Sequence, residues 1–446
     1  MYCGKLGWNF NKLSFHRNRV CIFGISSTCI YFNVKNGGRK VSVRGAEFTK
    51  KMKETHTIFL PDMLGYHNKL IQAAFLGAGY RLEIMSEREG LASEALPYIS
   101  GDYCLPAMMI LGQMLKTVQT NESDINHIAF MEPQTNGACR AGNYYHSMVK
   151  CLNKAGYPYI PVISLGAFGK EKQKGFSITA GLIMRGLAAV CYGDLLMTLL
   201  QQIRPYEKEK GKADACFLHW QELLTKDIKA GKNLFRRQRK KRYREIIESF
   251  LKIETEPKQC RKVGVTGEIY MKFSRIGNED LETFLKEQNC AYGMNGFFNY
   301  LIYLVDSEKE NEKIKGKSLG SVKGLEVLVS YLEGLQLELT QALEEQGFSG
   351  DASFRELKET AKNFIDLGCN TGDGWLIAGE VADLVKKGYD HILILHPFGC
   401  LVSHVCERGI LKKLRDTYKE VSIQTIEYDY DASKTLRESR ILLAIE

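Results

Sequence analysis

The stretch Ile392 to Cys406, ILILHPFGCLVSHVC, restricts the fold of this chain more than any other. Ile392 to Leu395 is an apolar run of the length a buried strand prefers, and His396-Pro397-Phe398-Gly399 stops it: proline cannot continue a ladder and glycine permits a sharp turn. Cys400 is therefore expected at the carboxyl end of a strand, where the helix Leu401 to Lys412 begins, with Ser403 as an early polar cap. Open α/β sheets bind ligands at that end, and a helix N-terminus favours a thiolate over a thiol.

The same alternation runs through the chain. HTIFL (56–60), YRLEI (80–84), HIAFM (127–131) and YIPVISL (159–165) predict strands, separated by helices over Tyr66 to Leu76, Leu105 to Val118 and from about Tyr144. A second series begins with the strand Val263 to Val265, has Asn278 capping a helix from about Glu279, and ends with the strand 421–429 and a helix from about Ser433. Strand–helix alternation of this kind predicts βαβ units and parallel sheets covered on both faces. The expectation is an α/β protein with two doubly wound, flavodoxin- or Rossmann-like lobes and a helical insertion between them. The division expected is a basic leader over 1–50, an N-terminal lobe over 51–175 carrying Cys104 and Cys139, a helical segment over 176–260, and a C-terminal lobe over 261–446 with its own helical stretches, among them the amphipathic Leu325 to Leu343, carrying Cys400.

At 446 residues, with 44% hydrophobic and 25% charged residues, the chain can bury more than one core. Its thirteen cysteines are an odd number without a disulfide-framework spacing, which points to reduced thiols and a cytoplasmic setting. The apolar stretch Val20 to Val34 lacks a clear cleavage site and is expected to be a strand pair or a loose leader rather than an export signal. No uninterrupted apolar run reaches the roughly 18 residues of a membrane span, so no membrane is expected. The charge of +9 is partly local: RRQRKKRYR (236–244) is expected to be a solvated helix face and not a nucleic-acid patch, since only Tyr243 is interleaved for stacking. KIKGKSLG (313–320) has Asn311 where a phosphate loop needs its first glycine, and the turn Gly368 to Gly374 fails the dinucleotide fingerprint, so no bound nucleotide is expected.

Three cysteines stand out by their neighbours: Cys104 in GDYCLPA, Cys139 in QTNGACRAGNYYH and Cys400 in HPFGCLVSH. All are predicted at helix starts or strand exits, a location that suits thiolate ligands, although their separations match no compact metal signature and buried structural cysteine is the alternative for each. Around them, Cys369 is a possible extra ligand and Cys406 a core residue. Arg140 is expected to hold anionic charge or pair with Asp102. Glu268, at a strand exit, could act on a ligand or anchor its loop; His404 could donate to a ligand or lie on the surface. Cys151, Cys191 and Cys290 read as filler.

In their order and intervals, GDYCLPA, TNGACRAGNYYH, VGVTGEIY, CNTGDGW and HPFGCLVSH resemble the 2-hydroxyacyl-CoA dehydratase family, and within it the homologous domain at the end of large acyl-CoA dehydratase activase-related proteins. FTKKMKETHTIFLPDM (48–63) resembles the entry to that domain, so the likeness spans roughly residues 46–446, and residues 1–45 depart from the family's lead-in. The resemblance implies an oxygen-sensitive protein of anaerobic metabolism whose 4Fe-4S cluster, in some relatives a linked double cubane, is held by Cys104, Cys139 and Cys400. It implies an ATP-dependent activase with its own iron–sulfur cluster as electron donor, and radical dehydration of a 2-hydroxyacyl-CoA through a ketyl radical. A homodimer or a homologous second subunit is implied as well. Weak catalytic candidates are Glu268, His404 and Arg140. Two other readings stay open: a single-cluster or double-cubane electron-transfer or reductase protein that acts on no CoA ester, and a non-catalytic component of an activase complex.

Overall fold

The computed structural model describes residues 45–135, 137, 139–166 and 173–446, together with the backbone of 15–16, 19–22 and 30–33. Two units separate, Met1–Arg44 and Gly45–Glu446. In the first, β1 (Phe15–His16), β2 (Arg19–Ile22) and β3 (Ile30–Asn33) form an antiparallel sheet in that order, with Cys21 opposite Tyr31. The strand pair expected within Val20 to Val34 is thus present in part; the rest of that leader lies outside the described residues.

The second unit carries two four-stranded, all-parallel sheets interleaved with helices. In the N-terminal lobe, β4 (Thr57–Leu60), β5 (Arg81–Ile84), β6 (Ile128–Pro133) and β7 (Val162–Leu165) lie in the order β5-β4-β6-β7. In the C-terminal lobe, β8 (Arg261–Gly267), β9 (Cys290–Gly293), β10 (His391–Pro397) and β11 (Ser422–Tyr428) lie in the order β11-β10-β8-β9. Both lobes follow one plan: the second strand flanks the first, and the third lies on its other side. The chain direction across the sheet therefore reverses between β4 and β6 and between β8 and β10, opening a crevice at the carboxyl ends of those strands. Burial explains the strand sequences. Ile392 to Leu395 are fully buried, because helices cover both faces of β10 and leave no polar alternation.

Between the lobes the chain is helical, as expected. Helices Ala180–Ile203, Lys212–Lys229 and Arg236–Leu251 pack on one another, and Phe297–Ile314 and Leu319–Glu344 pair later in the chain. The segment Ala180–Tyr206 corrects the estimate from run length alone: it is long and apolar enough to cross a membrane by length and composition, which Arg185 and Asp194 conceal in the sequence. Its most apolar window is 67% buried within the protein, the signature of a core helix. Its apolar surface would not by itself orient it; polar contacts do. Asp194 takes a hydrogen bond from His67 Nε2 at 2.8 Å and accepts the N–H groups of Phe297 and Phe298 at 2.8 Å each, so one helix caps another.

The basic run divides by helical period. Arg236 and Arg239 meet the buried Glu338 at 3.1 and 2.9 Å, and Arg242 meets Asp227 at 2.6 Å and Glu245 at 2.7 Å. Arg237, Lys241 and Arg244 are exposed. The solvated-face expectation therefore holds for only part of the run, because residues three apart return to the side facing neighbouring carboxylates.

Candidate functional site

Each of the three singled-out cysteines sits where a loop enters a helix. Cys104 immediately precedes helix Leu105–Thr120, with Pro106 in the first turn. Cys139 leaves β6 and precedes the short 3-10 turn Arg140–Asn143, which runs into helix Tyr144–Ala155. Cys400 follows β10. The helix expected to begin there opens differently: Leu401 starts it, Ser403–Glu407 form a π-turn, and regular α-helix resumes over Arg408–Thr417. Ser403 is not a side-chain cap. Its N–H points to Cys400 Sγ at 3.4 Å, and its hydroxyl bonds Glu407 Oε1 at 2.8 Å.

A backbone N–H from the following turn faces every one of these sulfurs: Ala107 for Cys104, Ala141 for Cys139, Ser403 for Cys400. This is how a helix start favours negative charge on sulfur.

The loops interlock across the lobes. Leu105 N–H donates to Phe398 O at 3.1 Å, and a Cβ on Gly399, whose φ is +74°, would stand 3.1 Å from Cys104 Cα. Gly137, two residues before Cys139, packs on Thr371, and Gly372 packs on Val402. Cys104 and Cys400 are buried and Cys139 nearly so. Burial pushes the Cys139 thiol up to about 12, with the charges of Glu268, Asp373 and Cys104 acting in the same direction. Burial raises Cys104 and Cys400 as well, Glu268 adds to both, and Cys104 adds to Cys400. The three sulfurs thus share one electrostatic environment around Glu268.

Glu268 occupies the exit of β8 and caps helix Ile269–Phe273, accepting the Met271 N–H at 3.0 Å. Its loop-anchoring role is therefore real. It is also buried deeply enough that its carboxyl is raised to about 8, with Glu407 adding to the effect. Asp373, in the CNTGDG turn, is raised well above the usual carboxylate range by burial and by Glu268 and Glu407. Tyr144 and Tyr300 complete the surroundings: the phenol of Tyr144 lies 3.8 Å from Cys104 Sγ, and Tyr300 senses Asp373, Cys139 and Glu268.

The other candidates lie at the edge of this centre. Arg140 donates to Asp102 Oδ2 at 3.1 Å and to its backbone carbonyl at 2.9 Å, and lies 4.5 Å over the Tyr103 ring, a rim ion pair of the kind expected. His404 bonds the Cys400 carbonyl through Nδ1 at 2.8 Å, and its ring lies tilted against that of His396, 4.4 Å between centroids. Cys369 is turned to Cys406, which is buried as expected. Reading the sequence alone missed Asp373, Glu407, His396, Tyr144 and Tyr300. The first, third and fourth lie inside the quoted motifs, whereas Glu407 and Tyr300 have no local signal because only packing makes them buried neighbours.

Among the described residues, no three His, Cys, Asp or Glu side chains close around a point that would hold a single metal ion. A mononuclear centre needs all its ligands within bonding distance of one atom. A cluster asks less, since each thiolate binds its own iron and the sulfurs stand further apart. Three sulfurs that share Glu268 as a neighbouring charge, each met by an N–H, fit such a group: its iron would offset the charge that burial and carboxylates now oppose. The chain matches no known family model, and no curated protein is similar to it by sequence.

Proposed function

We propose that the crevice holds a 4Fe-4S cluster on Cys104, Cys139 and Cys400, and that the chain is an oxygen-sensitive iron–sulfur protein of the 2-hydroxyacyl-CoA dehydratase type. The observation that carries this reading is the repetition of one local arrangement three times, from parts of the chain 35 and 261 residues apart, around a single carboxylate. A cluster there would supply a low-potential one-electron site, charged by an ATP-dependent activase, for dehydration of a 2-hydroxyacyl-CoA.

The chain's own residues support such chemistry in three ways. The N–H groups of Ala107, Ala141 and Ser403 steady the thiolates. Glu268, raised to about 8 by burial, can donate a hydrogen bond to a carbonyl or hydroxyl oxygen, and burial shifts Asp373 in the same direction. The buried Tyr144 and Tyr300 add apolar surface beside Cys104, Cys139 and Glu268.

Anaerobic purification with iron, sulfide and electron-spin-resonance measurements tests this directly. About four irons and four sulfides per chain are expected for one cubane, and about twice that for a double one. Cys139→Ala and Cys400→Ala should each lose the brown absorbance and most of the iron while keeping the wild-type circular dichroism. A variant that keeps full iron removes that residue from the ligand set. Reduced cluster that responds to no 2-hydroxyacyl-CoA thioester would leave an electron-transfer or reductase protein in place of the dehydratase.

A further inference from the structure

Next to Cys400, polar side chains run in file through a largely apolar interior. His396 is the last but one residue of β10, and its ring is fully buried. Its Nδ1 lies 3.2 Å from Glu407 Oε2, and its Nε2 lies 3.8 Å from Glu427 Oε2 and has no hydrogen-bond partner of its own. Glu427, on β11, is about one-third exposed and pairs with the half-exposed Arg408. At the inner end, the second oxygen of Glu407, itself fully buried, takes the Ser403 hydroxyl at 2.8 Å, and Ser403 N–H meets Cys400 Sγ. The π-turn Ser403–Glu407 widens the helix at this point, a distortion frequent at functional sites.

We infer that Glu427, His396 and Glu407 form a proton line from the protein surface to the buried carboxyl beside the sulfur crevice, with the Ser403 hydroxyl holding that carboxyl in place. Its carriers alternate as such a line requires. Burial raises Glu407 to about 8 and lowers His396 to about 4, so near neutral pH the carboxyl is protonated and the imidazole neutral. Glu407 gives its proton to a basic oxygen of a molecule bound in the crevice. His396 in its Nδ1–H form reprotonates Glu407, and Nε2 takes a proton from the Glu427 side, which solvent replaces. The balance is one proton from solvent to the crevice, after which the ring returns to its first tautomer. The charged and titratable groups facing this file are His404, tilted against His396; Arg408, at the mouth; and Cys406, Glu268 and Asp373, which all feel the Glu407 charge. A buried imidazole kept only for packing would not need one nitrogen left open toward a half-wet carboxylate.

The inference rests on the crevice being the reactive site, but its test reads the chain's own carboxyl and needs no metal, so its failure is separate from that of the iron measurements. Infrared spectra of the full-length chain, purified anaerobically, would show a protonated-carboxyl band assigned to Glu407 by its loss in Glu407→Gln. The rate at which this band shifts on transfer to deuterium oxide measures proton access. His396→Gln is expected to slow the shift by about tenfold or more, since an amide cannot relay a proton. A substitution that only loosened the packing would speed exchange. An unchanged or faster shift therefore overturns the line. Should His396→Gln not fold, Glu427→Gln at the mouth decides in the same way: slower exchange supports the line and unchanged exchange overturns it.

Discussion

At the scale of single residues, the approach of Cys104 to Cys400 depends on a glycine. Gly399 has φ +74°, a conformation in which a side chain is strained, and a Cβ there would meet both Cys104 Cα and Tyr103 O at 3.1 Å. Gly399→Ala is expected to cost about 1–2 kcal/mol from backbone conformation alone. Because the contact it crowds is the one between the two cysteine loops, iron content should fall with stability. A urea titration gives the first quantity and an iron assay the second; an alanine variant with a wild-type midpoint would show that the loops can move apart without strain. The buried pair Lys272–Glu380, at 2.8 Å with Thr266 Oγ1 also donating to Glu380, belongs to the same scale. It fixes the first turn after β8 and hence the direction in which Glu268 leaves the sheet.

At the scale of elements, the helix Ala180–Ile203 organises the helical region by what it offers others. Asp194 is buried, bonds His67, and receives the first two N–H groups of helix Phe297–Ile314. A carboxylate at a helix N-terminus gains from both the hydrogen bonds and the helix dipole. Asp194→Ala leaves those donors and the His67 ring without partners inside the core, for an expected loss of about 2–3 kcal/mol. Denaturant unfolding measures it, and a loss below about 0.5 kcal/mol, the range of ordinary surface changes, would contradict the capping role. Other helices have a different duty: Cys104, Cys139, Glu268 and Cys400 each stand immediately before a helix or 3-10 turn, and their charges act on one another.

At the scale of the whole molecule, buried ionisable groups make stability depend on pH. Glu407 has a folded value of about 8 against an ordinary 4.5, so between these limits the folded state holds a proton the unfolded state has released. Stability then falls as pH rises, by up to about 1.4 kcal/mol per pH unit for one such group. His396 acts oppositely: its folded value of about 4 lies below 6.5, so it adds stability as pH rises from 4 to 6.5 and nothing further above. The two offset below pH 6.5, and Glu407 is left unopposed from there to about 8. The metal-free chain should therefore melt at lower temperature at pH 8 than at pH 6.5, and Glu407→Gln should flatten that slope. Equal slopes in both proteins, measured by thermal melts across the range, would assign the dependence to other groups.

Local chemistry is enough to write down much of this protein from its sequence. Apolar runs ended by proline and glycine, such as ILIL before HPFG, specify parallel strands; the glycine and proline neighbours of Cys104, Cys139 and Cys400 place those residues at strand exits and helix starts. Periodicity and turn preference act within a few residues, so a sequence displays them. The tertiary structure alone decided which of these exits meet. The two lobes share one strand order, burial raises the carboxyls of Glu268, Asp373 and Glu407, and the contact of Gly399 with Cys104 joins residues nearly 300 positions apart. Desolvation and long-range packing are properties of the assembled fold, and no short stretch of chain carries them.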